Sequence, residues 1–250
     1  VKGGARPVKI VLADWAGYPL FRQRTLWTHR IECGSGRILE NMERYQAGVP
    51  FDVILVINGK DPFNPASAYQ ALSKRHAFIE KVLFRDNTGF DIGAYNHGFQ
   101  LLKNSQYQGD VLFMNSTLEG PSHDGWLLKY QKLFDQHEHT GLCGISMNSH
   151  NTNADRWVFM PHVQSFFLYT TMQVLQHVFA DALCGAEVVD NRQTLIAEGE
   201  IGISQNILRA GYGIACLAFE DFFYTENGSW DVPEGDLRTK AEFREFANRI

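Results

Sequence analysis

Asp86-Asn87-Thr88-Gly89-Phe90-Asp91-Ile92-Gly93-Ala94-Tyr95-Asn96-His97-Gly98 is the stretch from which the fold can be read. The apolar run Phe78–Phe84 ahead of it has strand length, and the polar and glycine residues that follow break it. Ala94, Tyr95, Phe99 and Leu102 then recur at helical spacing, predicting a helix over Ile92–Leu102. Asp110–Met114 predicts the next strand, ending in Asn115-Ser116-Thr117. Working outward, Val8–Ala13 predicts a strand ending at Asp14, Arg30–Tyr45 a helix, Phe51–Ile57 a strand stopped by Asn58-Gly59, and Ala66–His76 a helix. Strands alternating with helices predict an α/β fold, a mostly parallel sheet flanked by helices. In such sheets ligands sit beyond the carboxyl ends of the strands, which here are Asp14, Asn58, Asp86–Asp91 and Asn115–Thr117.

The second half is less regular. Strands are expected over Gly141–Met147, Gln164–Tyr169 and Ile214–Ala218, and helices over Met172–Leu183 and Glu200–Ala210, the latter closed by Gly211. A charged helix is expected in the tail beyond Trp230. No linker or repeat divides the chain, so the expectation is one domain over 1–250, with a nucleotide-binding half at 1–120 and a second, less regular half at 121–250. The opening Val1-Lys2-Gly3-Gly4-Ala5 suggests a domain excised from a longer chain, whose other domains would be partners.

Composition narrows the function classes. The chain has 250 residues, with 23 Lys and Arg against 28 Asp and Glu, a net charge of −5. A DNA-backbone surface normally needs a basic footprint, so no nucleic-acid partner is expected. No apolar run reaches the roughly 18–20 residues of a membrane span. Cys33, Cys143, Cys184 and Cys216 lack metal-type spacing and read as buried thiols of a reducing compartment. The expected setting is cytoplasmic, the inner face of the membrane included.

The Asp86–Gly98 stretch suits close approach to a ligand. Its glycines let backbone come near, and the helix start presents free N–H groups to phosphate or carboxylate. Asp91 there is either a cap or a binder of ribose or base. The stretch is neither a GxGxxG fingerprint nor a Walker loop.

Four blocks in order resemble the rhamnan-synthesis protein F family. They are Asn87-Thr88-Gly89-Phe90-Asp91-Ile92-Gly93-Ala94-Tyr95, Phe113-Met114-Asn115-Ser116-Thr117-Leu118-Glu119-Gly120-Pro121, Val163-Gln164-Ser165-Phe166-Phe167-Leu168, and Glu200-Ile201-Gly202-Ile203-Ser204 with Leu208 and Gly211-Tyr212. The resemblance implies an A-type glycosyltransferase (nucleotide-diphospho-sugar transferase) fold and a sugar transferase, often a rhamnosyltransferase, of surface polysaccharides. It implies that Asn87, Gly89, Asp91, Asn115, Ser116 and Thr117 hold the donor; Asp14, from its place at the end of the first strand, is either a contact to base or ribose or an ordinary turn acid. Glu200 becomes the candidate general base, with Glu198 as fallback, and Gln164 and Ser165 candidate lining of the acceptor cleft.

One departure from the class pattern bears on chemistry. Where A-type transferases usually carry Asp-x-Asp for a divalent metal, this chain has Asn115-Ser116-Thr117. Mg²⁺ and Mn²⁺ favour carboxylates beside phosphate oxygens. No metal ligands and no tightly bound cofactor are therefore expected, unless Glu119 or Asp124 substitutes. The same triplet matches a glycosylation sequon, which a strand end in a cytoplasmic protein argues against. Arg22, Arg24 and Arg30 are candidate diphosphate partners or plain surface charge. His123, His150 and His162 lack zinc spacing, and Trp126, Trp157 and Trp230 are either packing or sugar platforms.

The function expected is inverting transfer of a sugar from a nucleotide diphosphate to a growing glycan or lipid-linked glycan. The alternatives are a non-catalytic glycan- or nucleotide-binding domain of the same fold, a retaining transferase, or transfer of a phospho-sugar.

Overall fold

The computed structural model describes residues 4–26, 29–59, 65–151, 158–185, 194–231 and 250. The chain opens with β1 (Val8–Trp15), then an antiparallel hairpin of β2 (Arg22–Leu26) and β3 (His29–Cys33), then α1 (Ser35–Arg44). It continues with β4 (Phe51–Asn58), α2 (Ala66–Arg75), β5 (Ile79–Arg85), α3 (Phe90–Asn104) and β6 (Asp110–Asn115). The second half holds α4 (Trp126–Asp135), β7 (Thr140–Gly144), β8 (Met147–Asn151), β9 (Val158–Val163), β10 (Phe167–Thr171) and α5 (Met172–Val178). A π-helical segment, Leu195–Ile201, runs directly into α6 (Gly202–Arg209), followed by β11 (Gly213–Cys216) and β12 (Phe219–Tyr224).

Eight strands form one sheet in the order β12-β11-β7-β10-β6-β1-β4-β5. The β6, β1, β4 and β5 neighbours are parallel. Strands covered on both faces should read as continuous apolar runs, and Val53–Ile57 and Val111–Met114 are buried at every position. The chain moves outward from β1 to β4 and β5, then crosses back to lay β6 on the other side of β1. Between β1 and β6 the winding therefore reverses, and at such a point an open α/β sheet leaves a crevice beyond its carboxyl edge. Helix α3 lies close on β1 because Gly98 has no side chain: a Cβ there would stand 2.5 Å from Val11 Cγ1. Strand β10 runs antiparallel to both β6 and β7.

The opposite, amino-terminal edge is closed by a polar cluster. Arg6 makes paired bonds to Asp135 at 2.7 and 3.0 Å and reaches Asp110 at 3.0–3.1 Å. Tyr169 and Gln131 also donate to Asp110, at 2.6 and 2.8 Å. All four cysteines are free and buried. Among the described residues no helix is long and apolar enough to cross a membrane.

Several expectations need correction. The helix expected from Arg30 starts at Ser35, because Arg30-Ile31-Glu32-Cys33 alternates outward and inward with the two-residue period of a strand. Gly141–Met147 is not one strand: the chain bends at Ile145-Ser146, and β8 leaves the sheet to pair with β9. Gln164–Phe166 forms a turn, closed by Phe167 N–H donating to Gln164 O at 3.3 Å, and the strand starts only at Phe167. The helix from Met172 stops at Val178. Glu200 does not start a helix but lies inside the π-helical segment ahead of α6. The charged tail helix and Trp157 lie outside the described residues.

Candidate active site

The parallel register sets the strand ends side by side. Trp15 pairs with Asn58, Asn58 with Arg85, and Ala13 with Asn115. At the floor of the β1–β6 crevice Asp14 is 1% exposed. Its carboxylate accepts from the Ser35 and Ser116 hydroxyls and, at 3.4 Å, from Tyr69. Arg22 reaches over from β2: Nη2 donates to Ser116 O at 3.0 Å and Oγ at 2.9 Å, while Nη1 stands 3.7 Å from Asp14 Oδ1. Burial pushes the Asp14 carboxyl above its usual range, opposed by the two hydroxyls and the Arg22 charge.

The turn between β5 and α3 is held open by Arg85. Its guanidinium donates to Asn58 Oδ1 and to Thr88 O, both at 2.6 Å, and Asn58 Nδ2 donates to Phe90 O at 3.0 Å. Burial lowers the Arg85 pKa. Gly89 and Phe90 are both left-handed, at φ 72° and 47°. For glycine this costs little, but for Phe90 it is strained backbone of the kind that collects at ligand sites. Phe90 is also 40% exposed. Gly93 lets the first turn of α3 close on the loop, since a Cβ would meet Thr88 O at 2.3 Å.

Asp91 follows at the start of α3, half-buried, and accepts from Asn115 Nδ2 at 2.7 Å. Asn115 Oδ1 in turn accepts from the Thr117 hydroxyl at 2.6 Å and the Thr117 N–H at 3.1 Å. Burial pushes the Asp91 carboxyl up to about 6; the Asn115 bond opposes the rise and the Asp14 charge adds to it. Asn115 is thus fixed by three bonds and 7% exposed, a poor glycosylation acceptor.

Residues of the second half approach from the other wall. Gly199 packs on α3 so closely that a Cβ would stand 2.9 Å from Ile92 Cγ1. This close approach and the widened π turn set Glu200 beside the first turns of α3, where its charge and that of Asp91 add to the effect of burial in raising the Tyr95 pKa. Tyr95 donates to Ser165 O at 3.0 Å, tying the β9–β10 turn to the same wall. Gln164 sits on that turn, 3.3 Å from His162 Nε2. Glu198 is exposed and acts on Cys184 instead.

Asp14, Asp91, Asn115, Ser116 and Thr117 are thus brought together, with Asn87 and Gly89 on the adjoining turn and Ser165 and Glu200 across from them. Glu198 is not part of this group. Sequence reading missed Tyr95 as the tie between the walls and Arg85 as the clasp of the turn. It treated Tyr95 as an apolar helix position; the one signal available was the phenol that such a position would have to satisfy. Arg24 and Arg30 are exposed, whereas the Arg22 side chain is only 12% exposed. Trp126 is fully buried in the core, and Trp230 packs among Phe222, Tyr224 and Phe159.

The donor atoms at the end of β6 do not suit a divalent cation. Asn115 Oδ1 already accepts two bonds, and the Ser116 hydroxyl is engaged with Asp14 and Arg22. Glu119 and Asp124, the possible substitutes, accept from the Glu32 and Gln46 N–H groups. Among the described residues no three His, Cys, Asp or Glu converge as a metal-binding group.

Comparison with known proteins agrees with this geometry. A sequence family described as rhamnan synthesis protein F matches residues 53–227. Among solved structures, the mannosyltransferase PcManGT from Pyrobaculum calidifontis, in complex with GDP-Man and Mn²⁺, superposes with a TM-score of 0.55 at 10% identity. The match covers 86% of this chain and 55% of that one, so this chain spans about half the neighbour's length. At this identity the likeness is one of fold, and the fold is the A-type glycosyltransferase architecture. No curated protein matches the sequence.

Proposed function

The chain belongs to the rhamnan synthesis protein F family, and from that premise we propose that it is an inverting glycosyltransferase using a nucleotide-diphosphate sugar. The donor sugar suggested by the family is rhamnose, and the acceptor a hydroxyl of a growing surface glycan. The observation that carries the reading is the meeting of two walls. The Asp91–Asn115 pair lies at the switch point of the parallel half, and Glu200 is held beside Tyr95 on the facing π-helical segment. The fold neighbour was solved with a nucleotide sugar, which agrees with a donor at that edge.

In this reading the Asn87–Asp91 turn and Asn115–Thr117 hold the donor. The acceptor enters along the Gln164–Ser165 turn. The acceptor oxygen attacks the anomeric carbon in line, the bond to the diphosphate breaks, and Glu200 takes the hydroxyl proton as it becomes acidic. The configuration inverts because displacement is single. Positioning and stabilisation of the leaving diphosphate supply most of the rate. The donor set at the end of β6 favours transfer without a divalent metal.

The test is release of nucleoside diphosphate from a panel of sugar nucleotides, with mixed glycan acceptors, in EDTA and in Mn²⁺. Release in EDTA, with an inverted anomeric centre in the product, supports the proposal. Release only with Mn²⁺ overturns metal independence, and retention overturns the single displacement. Donor binding with no release would make the chain a binding module.

A further inference from the structure

We infer that the Arg22 guanidinium, carried on the β2–β3 hairpin, takes the place of the divalent cation and binds the diphosphate of the donor. The inference rests on the nucleotide-sugar reading above and adds the group that recognises the anion. Arg22 stands against Ser116, the middle residue of the Asn115–Thr117 triplet that replaces the Asp-x-Asp pattern.

Its bonding is incomplete in an informative way. Nη2 is satisfied by both Ser116 oxygens, but Nη1 is buried and has no oxygen or nitrogen acceptor among the described residues, the Cys33 thiol being a weak acceptor for this guanidinium. Asp14, 3.7 Å away, is too distant for a hydrogen bond and already accepts from Ser35, Ser116 and Tyr69. A buried charged donor without an acceptor is costly, and native proteins keep such groups rarely. A phosphate oxygen supplies the missing acceptor, and the planar fork of arginine suits phosphate better than a point charge does.

The group lies close to the surface: the ring of Tyr18, 46% exposed and edge-on to Trp15, stands 4.5 Å from Arg22 Cζ. Arg24 shares the same face of β2, two residues on, and both charges act on Cys33. The hairpin thus brings positive charge to the β1–β6 crevice, where Asp14 and Asp91 are acidic and the other cation, Arg85, is engaged with Asn58 and Thr88 O on the adjoining turn.

The experiment is calorimetric titration, in EDTA and in parallel with Mn²⁺, with uridine, guanosine and deoxythymidine 5′-diphosphates, each against its nucleoside. It is run on the wild-type chain, Arg22→Gln, Arg22→Lys and the double variant Asp14→Asn/Arg22→Gln, with melting temperatures recorded in parallel. One diphosphate should bind the wild type more tightly than its nucleoside. Arg22→Gln should weaken that diphosphate about 10- to 100-fold and leave nucleoside affinity unchanged, and Arg22→Lys should recover part of the loss. The double variant removes both charges, so it should regain melting temperature without regaining diphosphate affinity.

If the double variant regains affinity, Arg22 serves only to neutralise Asp14 and the inference fails. Wild-type diphosphate affinity in Arg22→Gln, or wild-type binding that appears with Mn²⁺ and is absent in EDTA, overturns it as well. If no diphosphate binds the wild type at all, the nucleotide-sugar reading itself falls, an outcome distinct from the other three. Should Arg22→Gln alone fail to fold, the lysine and double variants still decide.

Discussion

Replacing Asp91 by Asn should make the protein more stable at neutral pH while impairing transfer, and the size of the first effect follows from the site. The folded carboxyl titrates at about 6 against an ordinary 3.8, chiefly because burial penalises its charge. For a carboxyl raised in this way, the folded state binds the proton more tightly than the unfolded chain. Stability from this group is therefore greatest below the unfolded pKa and falls as pH rises from about 4 to about 6. Two units correspond to about 3 kcal/mol as an upper bound, since Asp91 keeps some exposure. An asparagine is neutral, and its amide oxygen can still accept from Asn115 Nδ2. At roughly 2–4 °C per kcal/mol for a chain of this size, Asp91→Asn should melt of the order of 6–12 °C higher at pH 7. Below about pH 4 the two proteins should melt together. Thermal melts from pH 4 to 8 read this directly. A variant that melts lower at pH 7, or a gap that persists unchanged at pH 4, would refute the reasoning.

Other outcomes follow from the same geometry. Glu200→Gln should lower turnover about 10²- to 10⁴-fold with nucleoside diphosphate affinity unchanged, measured by product release and calorimetry. Gly93→Ala drives a methyl into Thr88 O and the Arg85 guanidinium, so it should cost about 1–3 kcal/mol in denaturant unfolding and weaken donor binding together. Asp110→Asn should cost about 3 kcal/mol, because the Arg6, Tyr169 and Gln131 donors lose their buried charge partner. Donor affinity in Asp110→Asn should stay as in the wild type, since Asp110 begins β6 and the crevice lies at its far end.

The parallel half was legible because each strand is a short apolar run stopped by polar residues, as Phe51–Ile57 is by Asn58. The candidate donor residues were legible for the same reason, being the stops themselves. What could not be read were features decided by tertiary contact. The β2–β3 hairpin hid because Arg22-Gln23-Arg24-Thr25-Leu26 carries little apolar pattern, and the strand alternation of Arg30-Ile31-Glu32-Cys33 is too short to stand out ahead of the helical run that follows it. The Asp91–Asn115 bond joins residues 24 apart, and nothing local distinguishes that aspartate from a cap. The π-helical winding at Glu200 follows from Gly199 pressing on Ile92, a contact between distant segments. Arg22 could not be told from Arg24 and Arg30, as diphosphate partner or as surface charge, because its own partners, Asp14 on β1 and Ser116 just past β6, are distant in sequence.

The reversal of β10 has a consequence for how such a protein diversifies. In an all-parallel sheet every loop at the ligand-bearing edge follows a strand, and lengthening one shifts the helix that crosses back. Because β10 runs the other way between β6 and β7, the loop it brings to that edge precedes it and arrives from the separate β8–β9 ribbon. That ribbon can change length and sequence without moving β1, β4, β5 or β6. On the proposed reading, recognition of the acceptor would then drift while the donor-side strands stay in place, and exchanging the ribbon between relatives would be a route to new linkages.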